Sequence, residues 1–437
     1  MQQEFYEFLL KNKLSPHKLK ETISKWGKRD LIKFHENIYH SFDIGEKDFS
    51  GKFAFIANGK LSGRPYPCNG LRCRLLYIDQ LARFAVLYGD HVLIQSPFPE
   101  DVFHGKINVD ESKIRLFNDL VILHYIRPLV EYGFIIIGNR ILKFDEEHSP
   151  PIHKKGKLKN IIDTLYKEFS RNVYFNLERD DDRHNCVIAK GPDSLVEHGI
   201  MKSYIKKSQK IKLSKKKYDG LNRIIGNSRR NLIYDIASPI IIDIIQQDFY
   251  SSRNKLNYLT NRDIDLSILE TTNSIDKQRI SRAIVEGFSH SLPFIKGTKL
   301  SSILKLRIEE GEAFQVYRDA LWSSLSEINT EDATILREAF NDKVLPEIHK
   351  MDLKVKHSKK LLRDSIRSNI IFGAGVITIG LASGFLPSDV GKIIASLGGL
   401  QFGIDALKNL NELLKEPPSV KEDQYYFLWK VKEAFSN

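Results

Sequence analysis

Cysteine, methionine and tryptophan each occur only three times in this chain of 437 residues. The cysteines are Cys68, Cys73 and Cys186, too few for a disulfide framework in so long a chain, so a reducing, cytoplasmic setting is expected. A secretory signal is also missing from the first residues. Glu4 and Glu7 stand where such a signal needs positive charge followed by an apolar core. The common catalytic signatures are absent. There is no G-x-x-x-x-G-K followed by Ser or Thr, no G-x-G-x-x-G after a strand, no H-E-x-x-H and no G-x-S-x-G. Ordinary nucleotide hydrolases and serine hydrolases are disfavoured on that ground. Catalytic residues stay unassigned, a non-enzymatic role is expected, and no cofactor or metal ion is expected. There is no internal repeat, and the only biased segment is a lysine run.

Acidic residues are in the minority, with 55 Asp and Glu against 67 Lys and Arg, a formal net charge of +12. That balance favours an acidic partner: nucleic acid, anionic lipid or an acidic protein. Hydrophobic residues make up 42% of the chain, enough to fill cores in two or three domains. Abundant Ile, Lys and Asn point to a bacterial source with an AT-rich genome.

Periodicity divides the chain into a mixed α/β N-terminal half and a mostly α-helical C-terminal half, an α+β protein. Residues 1–45 read as amphipathic helices, with Phe5, Phe8 and Leu9, then Leu19, Ile23 and Trp26, at helical spacing. A small α/β domain is expected over 46–148. Phe53–Ala57 is its first strand, Leu71–Tyr88 a helix, His91–Ile94 a strand and Lys113–Tyr132 a second helix. Phe134–Ile137 and Ile141–Phe144, joined through Gly138-Asn139, read as a hairpin of the kind found in winged helices. A basic α/β segment is expected over 155–235, with a helix at Ile161–Phe175, a strand at Cys186–Ala189 and a helix at Ser194–Ile205. From Pro239 to the end, 239–437, the pattern is helical. In that part Arg307 and Arg318 flank Glu309, Glu310 and Glu312, which suggests an ion-pair network, and Gly311 suggests close helix packing.

The most distinctive stretch lies at 368–414. Two apolar segments, each dotted with glycine, flank the turn Pro387-Ser388-Asp389, the pattern of a helical hairpin with close backbone contact. Lys392, Gln401 and Asp405 are costly at the centre of a bilayer, so a buried or self-associating hairpin is preferred over one that enters a membrane.

The strongest partner signal is the lysine run: Lys206, Lys207, Lys210, Lys212, Lys215, Lys216 and Lys217, followed by Arg223, Arg229 and Arg230. Clustered cations neutralise phosphates, and the bracketing Tyr204 and Tyr218 can stack on unpaired bases. The bland alternative is a solvated loop. Cys68 and Cys73 in C-x4-C spacing, with Cys186, His184 and His198 elsewhere, offer a weak zinc pattern. Glu178–His184 reads as a solvated acidic turn. Asp101, Glu111 and Lys113 resemble the Asp then Glu-x-Lys arrangement of metal-dependent nucleases, which requires a strand where the sequence reads as the start of a helix.

No named family is recognised. The first expectation is a cytoplasmic protein that binds nucleic acid, within a bacterial defence (including antiviral) or stress system. One alternative is a membrane-active effector inserting 368–407, and another is an unrecognised metal-dependent nuclease. A protein partner or self-association is expected through helices 298–328 and 368–414.

Overall fold

The computed structural model describes residues 2–42, 44, 49, 54–66, 70–98, 108–139, 156–179, 185–193, 195–196, 199–204, 210–254, 256–262, 264–265 and 268. Beyond those it describes 293–295, 300–309, 311, 315–316, 342, 370–372, 377–379 and 392–394.

Three helices open the chain: α1 (Gln2–Lys11), α2 (Leu19–Ser24) and α3 (Lys28–Ile38). Then come β1 (Ala54–Ala57), α4 (Leu71–Tyr88), β2 (His91–Gln95), α5 (Val109–Glu131) and β3 (Ile135–Gly138). β1 pairs parallel with β2, and β2 parallel with β3. The strand sequences AFIA, HVLIQ and IIIG lack polar alternation because both faces of the sheet are covered, as parallel sheets require. β3 therefore joins β2 side by side, and residues 141–144, the expected second arm of a hairpin, lie outside the described residues.

The chain then leaves this sheet for more than a hundred residues. It builds α6 (Lys157–Asn172), β4 (Tyr174–Arg179), β5 (Asn185–Lys190), β6 (Ile200–Tyr204), β7 (Asn222–Arg223) and α7 (Gly226–Asn254). The four strands form an antiparallel sheet in the order β6-β5-β4-β7. The helix expected over 194–205 is corrected by this sheet: residues 200–204 are a strand paired antiparallel with β5. Cross-strand pairing outweighs the weak helical preference of so short a stretch. The division expected between 235 and 239 falls inside α7, which is continuous across it. Pro239 removes one helical N–H there, and the Tyr66 hydroxyl donates to the nearby Ile236 carbonyl at 2.6 Å.

β8 (Asn257–Thr260) then returns to the first sheet and pairs parallel with β1 on the side away from β2. The parallel order is thus β8-β1-β2-β3. Alternate residues of β1 feed two cores. Phe55 and Ala57 face α1 to α5, whereas Ala54 and Ile56 face α6, α7 and the small sheet. Short strands β9 (Pro293–Ile295) and β10 (Ile370–Phe372) pair with each other. β11 (Ile377–Ile379) and β12 (Lys392–Ile394) extend the first sheet beyond β8. The residues described within 368–414 are therefore extended, and the rest of that stretch lies outside the described residues. Among the described residues no helix is long and apolar enough to cross a membrane.

Only the start of the expected helix at 298–328 is described, as α8 (Leu300–Glu309). Its Leu300, Ile303 and Leu304 join the core around α4, so this part of the expected association surface is already used within the chain. Of the expected acidic network, Glu310, Glu312 and Arg318 lie outside the described residues; Arg307 itself reaches the end of α4. Its Nη1 donates to the carbonyls of Ala85 at 3.0 Å and Val86 at 2.6 Å, in the last turn of α4, and its guanidinium lies 4.2 Å from the centre of the Phe134 ring. A cation there satisfies terminal carbonyls and opposes the negative end of the helix dipole. Among the described residues, nothing lies within 4 Å of a Cβ built on Gly311.

The packing around α4 and α5 sets two expected outcomes. Arg307→Leu takes the side-chain donor from the carbonyls of Ala85, which keeps the Gly89 amide, and Val86, and lowers stability by about 1–3 kcal/mol, measurable by urea unfolding. His124 donates from Nε2 to the Leu14 carbonyl at 2.7 Å, and burial holds its pKa below the ordinary histidine value against that hydrogen bond. The unfolded chain therefore takes up the proton first as pH falls through about 6.5. Stability is full above that value and drops on acidification through it. His124→Gln, which keeps a donor, flattens this dependence in unfolding curves recorded across the range.

Candidate functional site

Two polar regions stand out from the apolar layers: a basic hairpin on the small sheet and a buried network at the carboxyl edge of the parallel sheet.

From Lys210 onward the lysine run is folded. Tyr218 and Leu221 exchange backbone hydrogen bonds across Asp219-Gly220, both at positive φ, 49° and 75°. An Asp-Gly pair with both residues left-handed is the preferred two-residue hairpin turn. Further back, Ser214 donates to the Arg223 carbonyl, Ile225 donates to the Lys212 carbonyl, and Leu213 bridges Ile224. Lys215, Lys216 and Lys217 oppose the single residue Asn222 between those pairings, so they bulge out of the ladder, and all three are exposed. Lys210 and Lys212 are exposed at the base of the same arm. The turn signal Asp219-Gly220 is visible in the sequence and marks the run as one arm of a hairpin.

The arginines divide. The Arg223 guanidinium lies 5.2 Å from the Tyr174 ring centre and 4.6 Å from that of Tyr218, with both tyrosines exposed. Arg230 is exposed over the stacked rings of Tyr166 and Tyr234. Arg229 is structural: its Nη2 donates to the Ser170 carbonyl at 2.6 Å and the Val173 carbonyl at 3.1 Å, closing the end of α6. Lys206 and Lys207 lie outside the described residues. Beside Arg223 in the β4–β7 register, buried Asn176 has neither amide atom hydrogen-bonded among the described residues.

The second region is not legible in the sequence. Successive helices α4 and α5 carry the chain from β1 to β2 to β3, whereas β8 sits on the opposite side of β1. The carboxyl ends of β1 and β8 are therefore the point where strand order reverses, the usual ligand position in open parallel sheets. A closed ring of side chains joins them. The Asn58 amide donates to Thr260 Oγ1 at 2.6 Å, and Thr260 donates to Asp265 Oδ2 at 2.5 Å. Arg262 donates from Nε and Nη2 to Asp265 at 3.0–3.1 Å, and from Nη1 to Asp243 Oδ2 at 2.8 Å. Gly59, next to Asn58, closes the ring by donating its amide to Asp243 Oδ2 at 3.1 Å. Gln95, at the end of β2, donates from Nε2 to Asp243 Oδ1 at 3.3 Å, leaving its Oε1 unpartnered among the described residues.

Burial pushes the Asp265 carboxyl above the ordinary carboxylate value, against the opposing pull of Arg262. Burial alone would lower the Arg262 pKa, but Asp265 and Asp243 outweigh it and hold the guanidinium firmly charged. The arrangement suits a fixed, preorganised polar wall.

The remaining patterns come apart. Glu111 and Lys113 sit in the first turns of α5, so the strand needed by a nuclease arrangement is not there, and Lys113 Nζ donates to the Ser24 carbonyl. Asp101, Cys68, His184 and His198 lie outside the described residues, as does 180–184 of the acidic turn. Cys73 is on α4 and Cys186 on β5. Among the described residues no group of His, Cys, Asp and Glu is placed to hold a metal ion. Compared with known proteins, the chain matches no family model, no curated protein and no solved structure.

A Cβ on Gly59 would stand 2.6 Å from Asp243 Oδ1, inside any permitted contact. Gly59→Ala therefore displaces the carboxylate from the loop and costs about 1–3 kcal/mol. The same substitution at Gly220 is a weaker control, strained by its positive φ but with nothing within 4 Å. Thermal unfolding of both variants compares the two effects.

Proposed function

We propose that this chain binds nucleic acid through the hairpin that carries Lys210, Lys212 and Lys215–Lys217. The observation that carries this reading is the bulge that holds three exposed lysines beside the exposed rings of Tyr174 and Tyr218. Lysines displaced from a ladder reach phosphates without competing backbone contacts. Tyrosine faces next to them offer stacking surface to unpaired bases, and Arg223, already lying on the Tyr174 and Tyr218 rings, adds charge to the same surface, with Arg230 a further exposed cation on α7. Single-stranded nucleic acid is the form this combination favours. The net charge of +12 supports an acidic partner in general and draws it in over long range. A cytoplasmic setting belongs to this reading and fits a chain of 437 residues with only three cysteines.

The test is fluorescence anisotropy with a labelled single-stranded oligonucleotide at several salt concentrations. Affinity falls steeply with salt. Replacing Lys215, Lys216 and Lys217 by Ala reduces the slope of log K against log[salt] by about 2, because each phosphate neutralised on a single strand adds about 0.7 to it. Tyr218→Ala weakens single-strand binding by about 1–3 kcal/mol per stacked base. Binding that ignores salt, or that survives the triple substitution unchanged, removes the proposal.

A further inference from the structure

Arg74 leads the fully buried side chains by volume, with 1% of its surface exposed. It stands in the first turn of α4, at the same carboxyl edge of the sheet as the Asp243 ring. Its Nε donates to the Gly63 carbonyl at 2.7 Å, and its Nη2 pairs with Asp119 of α5. Its Nη1 is buried without a partner among the described residues. Arg115 stands one turn before Asp119 on the same side of α5 and acts electrostatically on that carboxylate, and its buried Nε has no partner among the described residues either. Arg64 bears on the same carboxylate while its Nη1 donates to the Ser96 carbonyl at 2.8 Å.

The charges do not balance. Among the described residues, Arg74, Arg115 and Arg64 all act electrostatically on the single carboxylate of Asp119, and burial pushes even that carboxyl above its ordinary value. The end of α4 adds to the excess. Its N-cap is Gly70, which offers no side-chain cap, and its first turn carries no acidic residue but does carry Arg72. The neighbouring α5, by contrast, is capped by Asn108 and has Asp110 and Glu111 in its first turn. Cations at a helix N-terminus oppose the dipole, and a buried N–H without an acceptor costs about 1–3 kcal/mol. An anion removes both penalties together.

We propose that Arg74 and Arg115, with the N-terminus of α4, bind the phosphate group of a small phosphate monoester at the carboxyl edge of the parallel sheet. The phosphate oxygens accept from Arg74 Nη1 and Arg115 Nε. Asp119 Oδ2, also unpartnered among the described residues, accepts from a protonated phosphate oxygen or a hydroxyl of the ligand. The loop from Asn58 to Arg64 runs from this pocket of charge to the end of β2, where Gln95 Oε1 is an open acceptor, and Asn261 Nδ2 beyond β8 is an open donor. These two suit the polar body of the same ligand. The site is independent of the basic hairpin and stands whether or not that hairpin binds nucleic acid.

Calorimetric titration and thermal unfolding of the full chain with inorganic phosphate and with AMP test it. At least one of them binds saturably and raises Tm, and Arg115→Gln weakens that binding tenfold or more. The Nε of Arg115 gives up no hydrogen bond among the described residues on substitution, and the Tm of this variant without ligand is measured beside its binding, so that a change in folding is read apart from the loss of affinity. Arg74→Lys keeps the charge opposite Asp119 but removes the open Nη1, and weakens binding similarly. AMP binding tighter than phosphate assigns a nucleoside phosphate; equal binding assigns the phosphate group alone. The proposal is overturned if neither ligand binds or if Arg115→Gln binds as the wild type does. It is equally overturned if binding disappears only when Lys215–Lys217 are replaced, which would give the anion to the basic hairpin.

Discussion

The carboxylate of Asp243 accepts from the backbone of Gly59 after β1, from Gln95 at the end of β2 and from Arg262 after β8. One buried side chain of α7 thereby ties three strand ends together. Such a group is hard to desolvate and stabilises the fold only when fully paired. Removing one partner of a buried ion pair typically costs about 3–5 kcal/mol. The layers on both sides of β1 depend on this point, because α7 packs across one face while the Asn58–Arg64 loop, held from beneath, shapes the other. Register follows as well. The Asn58–Thr260 contact aligns β8 with β1, and a slip by one residue would exchange the two cores.

Local pattern is readable wherever a segment buries one continuous stripe. α4, α5 and β2 stand close to where periodicity places them, since each carries a full run of apolar residues bounded by glycine or a polar cap. Long-range pairing is not readable. Nothing in NYLT says that it lies beside AFIA, because the decision is made by the space left on one side of β1. Ile200–Tyr204 departs from its helical pattern for a related reason: a short stretch takes the conformation its neighbour β5 offers. Pro239 marks a boundary in sequence terms, yet α7 runs on through it.

The candidate sites follow the same division. The lysines can be counted in the sequence, but their display on a bulge depends on pairings to Leu221–Ile225 that composition does not reveal. Arg229 looks identical to its neighbours in sequence and is committed to the end of α6. The Asp243 ring and the arginines around Asp119 draw on residues scattered from Asn58 to Asp265, each ordinary by itself. Only the reversal of strand order after β1 collects them at one edge.

The hydrogen bond between Asn58 and Thr260 spans 202 residues. At a synthesis rate of about 5–20 residues per second, β1 waits roughly 10–40 seconds on the ribosome before its second neighbour emerges. Throughout that interval a flat apolar strand has one unsatisfied edge. The small sheet and α6 can complete themselves in the meantime, since their contacts are local. This chain is therefore most exposed to aggregation while it is being made, and a chaperone that shields the open side of β1 would raise its yield more than any gain in the stability of the finished fold.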